Sequence, residues 1–168
     1  KTLTSYKVAR NLLQDIPSIE KTVFLIDRTD LDQQTAGQFQ SYSENDTIDV
    51  DDVDNVGDLR RKLKNNDRQM IVTTRQKLQH LLKRLAKKPD SHDYLRIASL
   101  RIAFVVDECH RAISPQSKRT IESFFPNSLW YGFTGTPRFG ENSYPEMGDL
   151  PRTTEELYGK ILHASSVK

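Results

Sequence analysis

The sequence predicts an α/β domain in which helices cover both faces of a mostly parallel sheet. Four short segments rich in Val, Ile, Phe and Tyr are mostly continuous apolar runs, which is typical of strands buried on both sides. Segments with helical periodicity lie between them, and strands that alternate with helices favour parallel pairing. The predicted strands are residues 21–27, 69–74, 101–108 and 129–135.

Three sequence signals predict helices around this sheet. Residues 76–88 place four leucines on one helical face, with basic residues largely around it. Ser114 followed by Pro115 indicates a helix start, because serine caps helices and proline suits their first position. Thr153 and Glu156 have the spacing of a capping box before the segment LYGKILH.

Length and composition favour a single globular domain. The 168 residues suit one domain that spans 1–168, with 36% hydrophobic and 29% charged residues. No signal-like segment or run of 18 apolar residues is visible, so we expect no membrane partner. The single cysteine, Cys109, excludes an internal disulfide, and the four scattered histidines have no zinc-site spacing. A reducing, intracellular compartment fits these features best.

Charge is unevenly distributed along the chain. The net charge is only +2, but residues 44–58 hold seven acidic residues and neither Lys nor Arg, so the remainder is clearly basic. We interpret the acidic segment as a loop with a short strand at 47–50. The basic remainder fits either a surface that faces phosphates or an ordinary solvated surface, and composition leaves both open.

The ends of the predicted strands carry the candidate functional residues, because ligands of such sheets bind beyond the carboxyl ends of the strands. The four ends read DRTD, TTRQ, DECH and TGTP. At the third, Asp107 could hold Mg²⁺ near nucleotide phosphates, while Glu108 could orient and deprotonate a water molecule. The alternative is structural: the two acids could cap the next helix or form ion pairs.

The first two residues fit the end of a phosphate-binding loop. Lys1 and Thr2 precede a helical segment, as the last two residues of G-x-x-x-x-G-K-[ST] do. In that arrangement Lys1 reaches the β- and γ-phosphates and Thr2 binds the metal. Taken alone, the pair also fits a plain helix with a basic first residue. With no Met and no glycine loop, we expect the numbering to begin inside a longer polypeptide.

The motifs in order resemble a known family. DECH is followed 23 residues later by FTGTP and preceded by VFLIDRTDLDQQ and IVTTRQKL. This set resembles the first motor domain of superfamily 2 helicases and translocases, a three-layer RecA-like P-loop NTPase domain. FLIDRTDLDQQT, DECHRAIS, YGFTGTPRF and RTTEELYGKILH more closely resemble the restriction (R) subunit of type I restriction-modification enzymes. The resemblance spans nearly the whole chain.

The resemblance implies ATP and Mg²⁺ as cofactors. It assigns Lys1, Thr2, Asp107 and Glu108 to the nucleotide, with Thr2 and Asp107 on the metal. Lys1, Asp107 and Glu108 are the implied catalytic residues, Glu108 acting on the attacking water. His110 and the TGTP motif are implied to couple nucleotide state to movement, through His110, Thr134, Gly135 and Thr136.

The resemblance also implies double-stranded DNA as a partner. The ends of the first two strands would hold the sugar–phosphate backbone, which here means Arg28, Thr29, Thr73 and Thr74. Contacts to phosphates carry no base information, so they suit a motor that must grip every sequence. The implied whole is the ATP-dependent DNA translocase part of a type I site-specific deoxyribonuclease. It would work with methyltransferase (M) and specificity (S) subunits in a bacterial or archaeal cytoplasm.

Several departures from the family pattern limit what this chain is expected to do alone. Cys109 stands where many relatives carry a small residue, and we expect it to be a tolerated small side chain rather than a nucleophile. No E-x-K or D-x-K triplet occurs, so the nuclease domain is expected to lie elsewhere. We expect the second motor domain, with its arginine finger, to lie outside these residues as well. We therefore predict that residues 1–168 alone hydrolyse ATP poorly or not at all.

Two other functions remain open at this point. One is a different superfamily 2 motor, either a repair or remodelling DNA translocase or an RNA helicase. RNA helicases usually carry Ser-Ala-Thr where this chain has Thr134, Gly135 and Thr136, which favours DNA. The other is a non-hydrolytic interaction module whose acidic loop binds a partner. The intact Lys1, Asp107 and Glu108 argue against that module.

Overall fold

The computed structural model describes residues 2–27, 50–52 and 55–164, together with the single positions 38 and 41. The described strands are β1 (Lys21–Ile26), β2 (Val50–Asp52), β3 (Gln69–Thr74), β4 (Ile102–Val106) and β5 (Leu129–Gly132). The described helices are α1 (Thr2–Asp15), α2 (Val56–Lys64), α3 (Arg75–Ala86), α4 (His92–Ala98), α5 (Cys109–Ala112), α6 (Pro115–Phe124) and α7 (Thr154–Tyr158).

The strands form one sheet in the order β2-β3-β1-β4-β5. All four neighbouring pairs are parallel, and Phe24 of β1 lies opposite Val72 of β3 and Val105 of β4. The predicted α/β class with a mostly parallel sheet is confirmed. Because the strands are parallel, their carboxyl ends meet at one edge of the sheet, which is where the sequence motifs were expected to converge.

Two apolar cores lie on the two faces of the sheet. Alternate residues of β1 point to opposite sides, so Val23 and Leu25 join one core while Phe24 and Ile26 join the other. The first core includes leucines of α2 and α3 and Ile121 of α6. The second is covered by α1, through Tyr6, Ala9 and Leu13. Helices on both sides of the sheet give the predicted three-layer arrangement.

The predicted strands match the structure best in the centre of the sheet. Every residue of β1, β3 and β4 is buried, as their continuous apolar runs predicted. β4 ends at Val106, two residues before the predicted end, so Asp107 and Glu108 lie in a turn. β5 ends at Gly132 rather than at 135 and is only half-buried. It is the last strand in the order of the described sheet, which explains its exposure.

The helix signals were mostly accurate at helix starts. Ser114 caps α6 with proline at its first position, and the capping box of Thr153 and Glu156 is present. α3 starts one residue before the predicted span and buries its four leucines. α7 is shorter than LYGKILH suggested, since Gly159 at φ 81° follows Tyr158. A glycine in the left-handed region is a common way for a helix to end.

The acidic segment was assigned only in part. The strand expected at 47–50 is observed at 50–52, and residues 44–49 lie outside the described residues. α2 begins at Val56, inside the predicted loop, with Asn55 as its cap. Across the described ranges, no helix is long and apolar enough to cross a membrane.

Candidate functional site

Residues 107–110, which we call the acidic turn, follow the end of β4 at the carboxyl edge of the sheet. Glu108 has φ 48° and ψ 47°, and in the described chain it is the only residue other than glycine with positive φ. A side chain in this conformation costs about 1 kcal/mol, because the Cβ atom crowds the following carbonyl oxygen. The Glu108 amide donates to Asp107 Oδ1 at 3.0 Å, which ties the two acids together. The backbone is therefore locally strained at the predicted catalytic pair, Asp107 and Glu108.

Backbone hydrogen bonds fix the acidic turn to the end of β5. The Phe133 amide donates to the Val106 carbonyl, and the Cys109 amide donates to the Phe133 carbonyl, both at 2.9 Å. These bonds extend the pairing of β4 and β5 past the last strand residues. The acidic turn and the TGTP motif are consequently held side by side.

His110 connects the acidic turn to the TGTP motif through its side chain. Its Nδ1 atom lies 2.7 Å from Thr134 Oγ1 and 3.6 Å from Glu108 Oε2. Thr134 Oγ1 also accepts a hydrogen bond from the Thr136 amide at 3.0 Å. Three of the four predicted coupling residues are therefore joined by direct contacts, and Gly135 lies exposed between two of them.

Cys109, the third residue of the acidic turn, is fully buried. Burial, and to a lesser extent the neighbouring carboxylates of Glu108 and Asp107, raise the pKa of its thiol to about 12. The thiol is therefore protonated at neutral pH, whereas the thiolate is the nucleophilic form of cysteine. A Cβ atom at Gly132 would lie 2.9 Å from Cys109 Sγ and 2.9 Å from the ring of Tyr158. A residue with a Cβ atom at this position would clash with both side chains, so glycine is required there.

Residues 137–158, which we call the strap, follow the TGTP motif and fold back on themselves. The Arg138 amide donates to Thr154 Oγ1 at 2.7 Å, and the Thr154 amide donates to the Arg138 carbonyl at 2.9 Å. Further along, the Tyr144 amide donates to the Arg152 carbonyl at 2.8 Å. These cross-links make a compact loop of an irregular segment.

The strap contacts the acidic turn at His110 and the end of β5 at Gly132. Tyr144 Oη donates to the His110 carbonyl at 2.8 Å, and the Tyr158 ring lies against the face of Gly132 that Cys109 also approaches. Sequence reasoning missed both contacts. Tyr144 and His110 are 34 positions apart, so no local pattern could have paired them.

Thr73 and Thr74 lie at the carboxyl end of β3, beside the end of β1. They are only 2% and 3% exposed. Thr74 Oγ1 accepts from the Lys77 amide and caps α3, while Thr73 Oγ1 is buried without a hydrogen-bond partner in the described part of the chain. Both hydroxyls therefore point into the fold in this structure, and the DNA-binding role of these threonines stays a prediction.

The remaining predicted site residues cannot be placed. Lys1, Arg28 and Thr29 lie outside the described residues, and for Thr2 only the backbone is described, as the first residue of α1. α1 runs antiparallel to β1: its last turn lies near the start of β1, where Arg68 binds the carbonyls of both Leu13 and Ile19. Its first turn therefore lies toward the carboxyl edge, the same edge as the acidic turn. The convergence of Lys1 with Asp107 and Glu108 stays a prediction.

The two carboxylates of the acidic turn are a donor set that Mg²⁺ could use. Among the described residues, no group of three or more His, Cys, Asp or Glu side chains could hold a metal ion. Mg²⁺ usually takes one or two protein carboxylates and completes its shell with water and phosphate oxygens. Asp107 and Glu108, both half-buried at the carboxyl edge of the sheet, fit that requirement.

Comparison with known proteins places this site in a family context. Residues 1–168 match the family model for SWI2/SNF2 ATPases. The chain is 36% identical to the type I restriction enzyme SsaAORF53P endonuclease subunit of Staphylococcus saprophyticus. It is 35% identical to the SauMSSORF170P endonuclease subunit of Staphylococcus aureus. Each match covers 100% of this chain and 17% of the relative, so the chain spans about a sixth of their length.

A shorter relative extends the same pattern. It is the C-terminal part of a putative endonuclease subunit, that of the type I restriction enzyme MpnIIP of Mycoplasma pneumoniae, and it is 32% identical over 127 residues. That match covers 74% of this chain and 58% of the relative. Relatives with such names therefore occur beyond the staphylococci.

Proposed function

This chain belongs to the SWI2/SNF2 ATPase family, and from that premise we propose that it is the ATP-binding motor domain of a type I restriction enzyme R subunit. The resemblance to that subunit is confirmed by the relatives, which are named as type I restriction enzyme endonuclease subunits. In the intact enzyme, we propose, this domain couples ATP hydrolysis to translocation of double-stranded DNA before cleavage. We place the nuclease and the second motor domain outside residues 1–168.

The observation that carries this proposal is the geometry of the acidic turn. Glu108 is held in a left-handed conformation between Asp107 and a histidine that contacts the TGTP motif. Bound Mg²⁺ and ATP would supply the phosphoanhydride and the charge neutralisation that its cleavage requires. Asp107 would hold the ion, and Glu108 would orient the attacking water and accept its proton. Lys1 would reach the β- and γ-phosphates, and Thr2 would bind the metal.

His110 and Thr134 provide the connection between hydrolysis and movement. His110 lies two residues after Glu108, and Thr134 is the first residue of TGTP. The 2.7 Å contact between His110 and Thr134 therefore joins the acidic turn to that motif. A change in the position of Glu108 on hydrolysis is thereby passed to residues 134–136. Arg28, Thr29, Thr73 and Thr74 are the proposed grip on the DNA backbone, with M and S subunits supplying sequence recognition in the complex.

A substitution of Glu108 in the full-length protein tests the proposal. Glu108→Gln removes the proton acceptor and keeps the size of the side chain, so ATP turnover should fall by at least about 100-fold. ATP binding should change by less than about threefold, because the phosphate contacts remain. The measurements are DNA-stimulated phosphate release and the dissociation constant of a fluorescent ATP analogue.

Glu155→Gln on α7 is the matched control, since Glu155 is an exposed glutamate away from the acidic turn. It should hydrolyse ATP at the unsubstituted rate. Unchanged turnover in Glu108→Gln would remove Glu108 from the mechanism. A full-length protein that binds neither ATP nor DNA would instead favour the non-hydrolytic interaction module.

A further inference from the structure

We propose that Tyr144 is a positioning residue for ATP hydrolysis: its hydroxyl, carried on the strap, fixes the backbone of the acidic turn. This inference rests on the proposed function. Tyr144 Oη donates to the His110 carbonyl at 2.8 Å, two residues from Glu108. The bond comes from outside the turn's own elements, β4 and α5, so the segment after TGTP has a direct hold on the proposed catalytic turn.

The His110 carbonyl is a critical point in this turn. The His110 side chain reaches Thr134, and the Glu108 carbonyl accepts from the Arg111 and Ala112 amides at 3.0 Å. A rotation of the peptide after His110 would therefore disturb both the contact to TGTP and the short helix that follows Glu108. Since Glu108 already occupies a strained conformation, it depends on such surrounding contacts to stay there.

The strap is built to present this hydroxyl rigidly. The Tyr144 amide donates to the Arg152 carbonyl, and Arg152 Nε donates back to the Tyr144 carbonyl at 3.0 Å. The Arg138 guanidinium lies 4.6 Å from the centre of the Tyr144 ring, in cation–π contact. Arg152 thus binds both backbone groups of Tyr144, and Arg138 contacts its ring. Burial raises the pKa of the Tyr144 hydroxyl, so it remains a proton donor at neutral pH.

The hydroxyl, rather than the ring, is the active part of this arrangement. A structural role would be served by ring packing alone, and Tyr144→Phe would then be silent. A positioning role predicts that loss of the hydroxyl relaxes the turn while the strap stays docked through its arginine contacts. The effect should appear in the rate of the chemical step and leave nucleotide binding largely unchanged, because the hydroxyl is bonded to the turn backbone.

The test is Tyr144→Phe in the full-length protein, with DNA-stimulated ATP hydrolysis as the readout. We expect kcat to fall by about three- to tenfold, the rate equivalent of one hydrogen bond, and KM for ATP to change by less than about twofold. Tyr94→Phe is the matched control, because Tyr94 packs against Phe124 through its ring. It should leave both kinetic constants unchanged.

Tyr144→Ala separates the hydroxyl from the ring. If the proposal holds, Tyr144→Phe reproduces most of the loss of kcat that Tyr144→Ala shows. The proposal is overturned if Tyr144→Phe keeps the unsubstituted kcat, or if its kcat falls only together with a matching loss of ATP affinity. The outcome is separable from that of the proposed function: a silent Tyr144→Phe beside an inactive Glu108→Gln sinks only the inference about Tyr144.

Discussion

The two edges of the parallel sheet both carry polar residues, but they use them in opposite ways. At the amino edge, Lys21 is 1% exposed and its ammonium donates to Asn65 Oδ1 and the Asp67 carbonyl. Nearby, Arg68 donates to three backbone carbonyls, of Leu13, Ile16 and Ile19. These contacts join the segment before β3 to the end of α1 and to the start of β1.

At the carboxyl edge, by contrast, the described residues include a strained backbone and buried hydroxyls without hydrogen bonds. Glu108 is in a left-handed conformation, and the hydroxyls of Thr73 and Tyr158 are buried with no hydrogen-bond partner in the described part of the chain. Both edges carry buried or partly buried polar groups, so polarity alone does not separate function from structure. Strain and unsatisfied groups do, because natural proteins tolerate them chiefly where the chemistry requires them.

The largest stability effect is expected at the amino edge. Arg68→Ala removes the donor to three carbonyls, so the free energy of unfolding should fall by about 2 kcal/mol. Arg68→Lys keeps the charge but not the planar set of donors, and should recover less than half of the loss. Chemical denaturation measures both. Lys83→Ala, on the exposed face of α3, is the control and should cost less than about 0.5 kcal/mol. A loss of similar size from Lys83→Ala would show that the amino edge is not special.

Lys21 provides an intermediate, pH-dependent effect. Burial lowers the pKa of Lys21 to about 8, with Asp67 opposing that shift. Between about pH 8 and the ordinary lysine value the unfolded chain binds more protons than the folded chain, so stability contributed by this group rises with pH. We expect a gain of about 1 kcal/mol between pH 8 and 9.5, after allowing for solvent screening.

The measurement is the free energy of unfolding at several pH values, compared with Lys21→Met. This variant lacks the titrating group, so the difference between the two curves isolates Lys21. Parallel curves over that range would mean that the ammonium is better solvated than its 1% exposure suggests.

The smallest effect should have the opposite sign, at the carboxyl edge. Tyr158→Phe removes a buried hydroxyl that has no partner among the described residues, so stability should stay constant or rise by up to about 1 kcal/mol. Tyr144→Phe, which breaks a hydrogen bond, should instead lower stability by about 1 kcal/mol. Thermal denaturation of the two variants compares equal chemical changes. Equal losses from both would indicate that Tyr158 has a partner after all.

The centre of the sheet was predictable from the sequence because its signals are local. Continuous apolar runs marked β1, β3 and β4, and the rule that ligands bind at carboxyl strand ends directed attention to DECH and TGTP. The family resemblance named His110 and Thr134 as coupling residues, but it did not predict their direct contact, which joins residues 24 positions apart. Lys1, Arg28 and Thr29, which were predicted in the same way, lie outside the described residues.

The strap was not predictable, because its structure depends on contacts that have no periodic pattern. Tyr144 sits in a segment with several glycines and prolines that reads as a plain loop. Gly132 did carry a signal: an isolated glycine in an apolar strand often marks close approach of another group. The structure shows that the approaching groups are Cys109 and Tyr158. The partial exposure of β5 was not predicted either. An apolar run does not show where its strand lies in the order of the sheet.

The left-handed backbone at Glu108 has a consequence for sequence design. Glycine occupies this conformation without strain, so a procedure that optimises stability alone would favour Glu108→Gly, with a gain of up to about 1 kcal/mol. The same change would delete the carboxylate assigned to water activation. At this position a stabilising substitution would remove the hydrolytic function that we propose, so a redesign that keeps that function has to leave Glu108 unchanged.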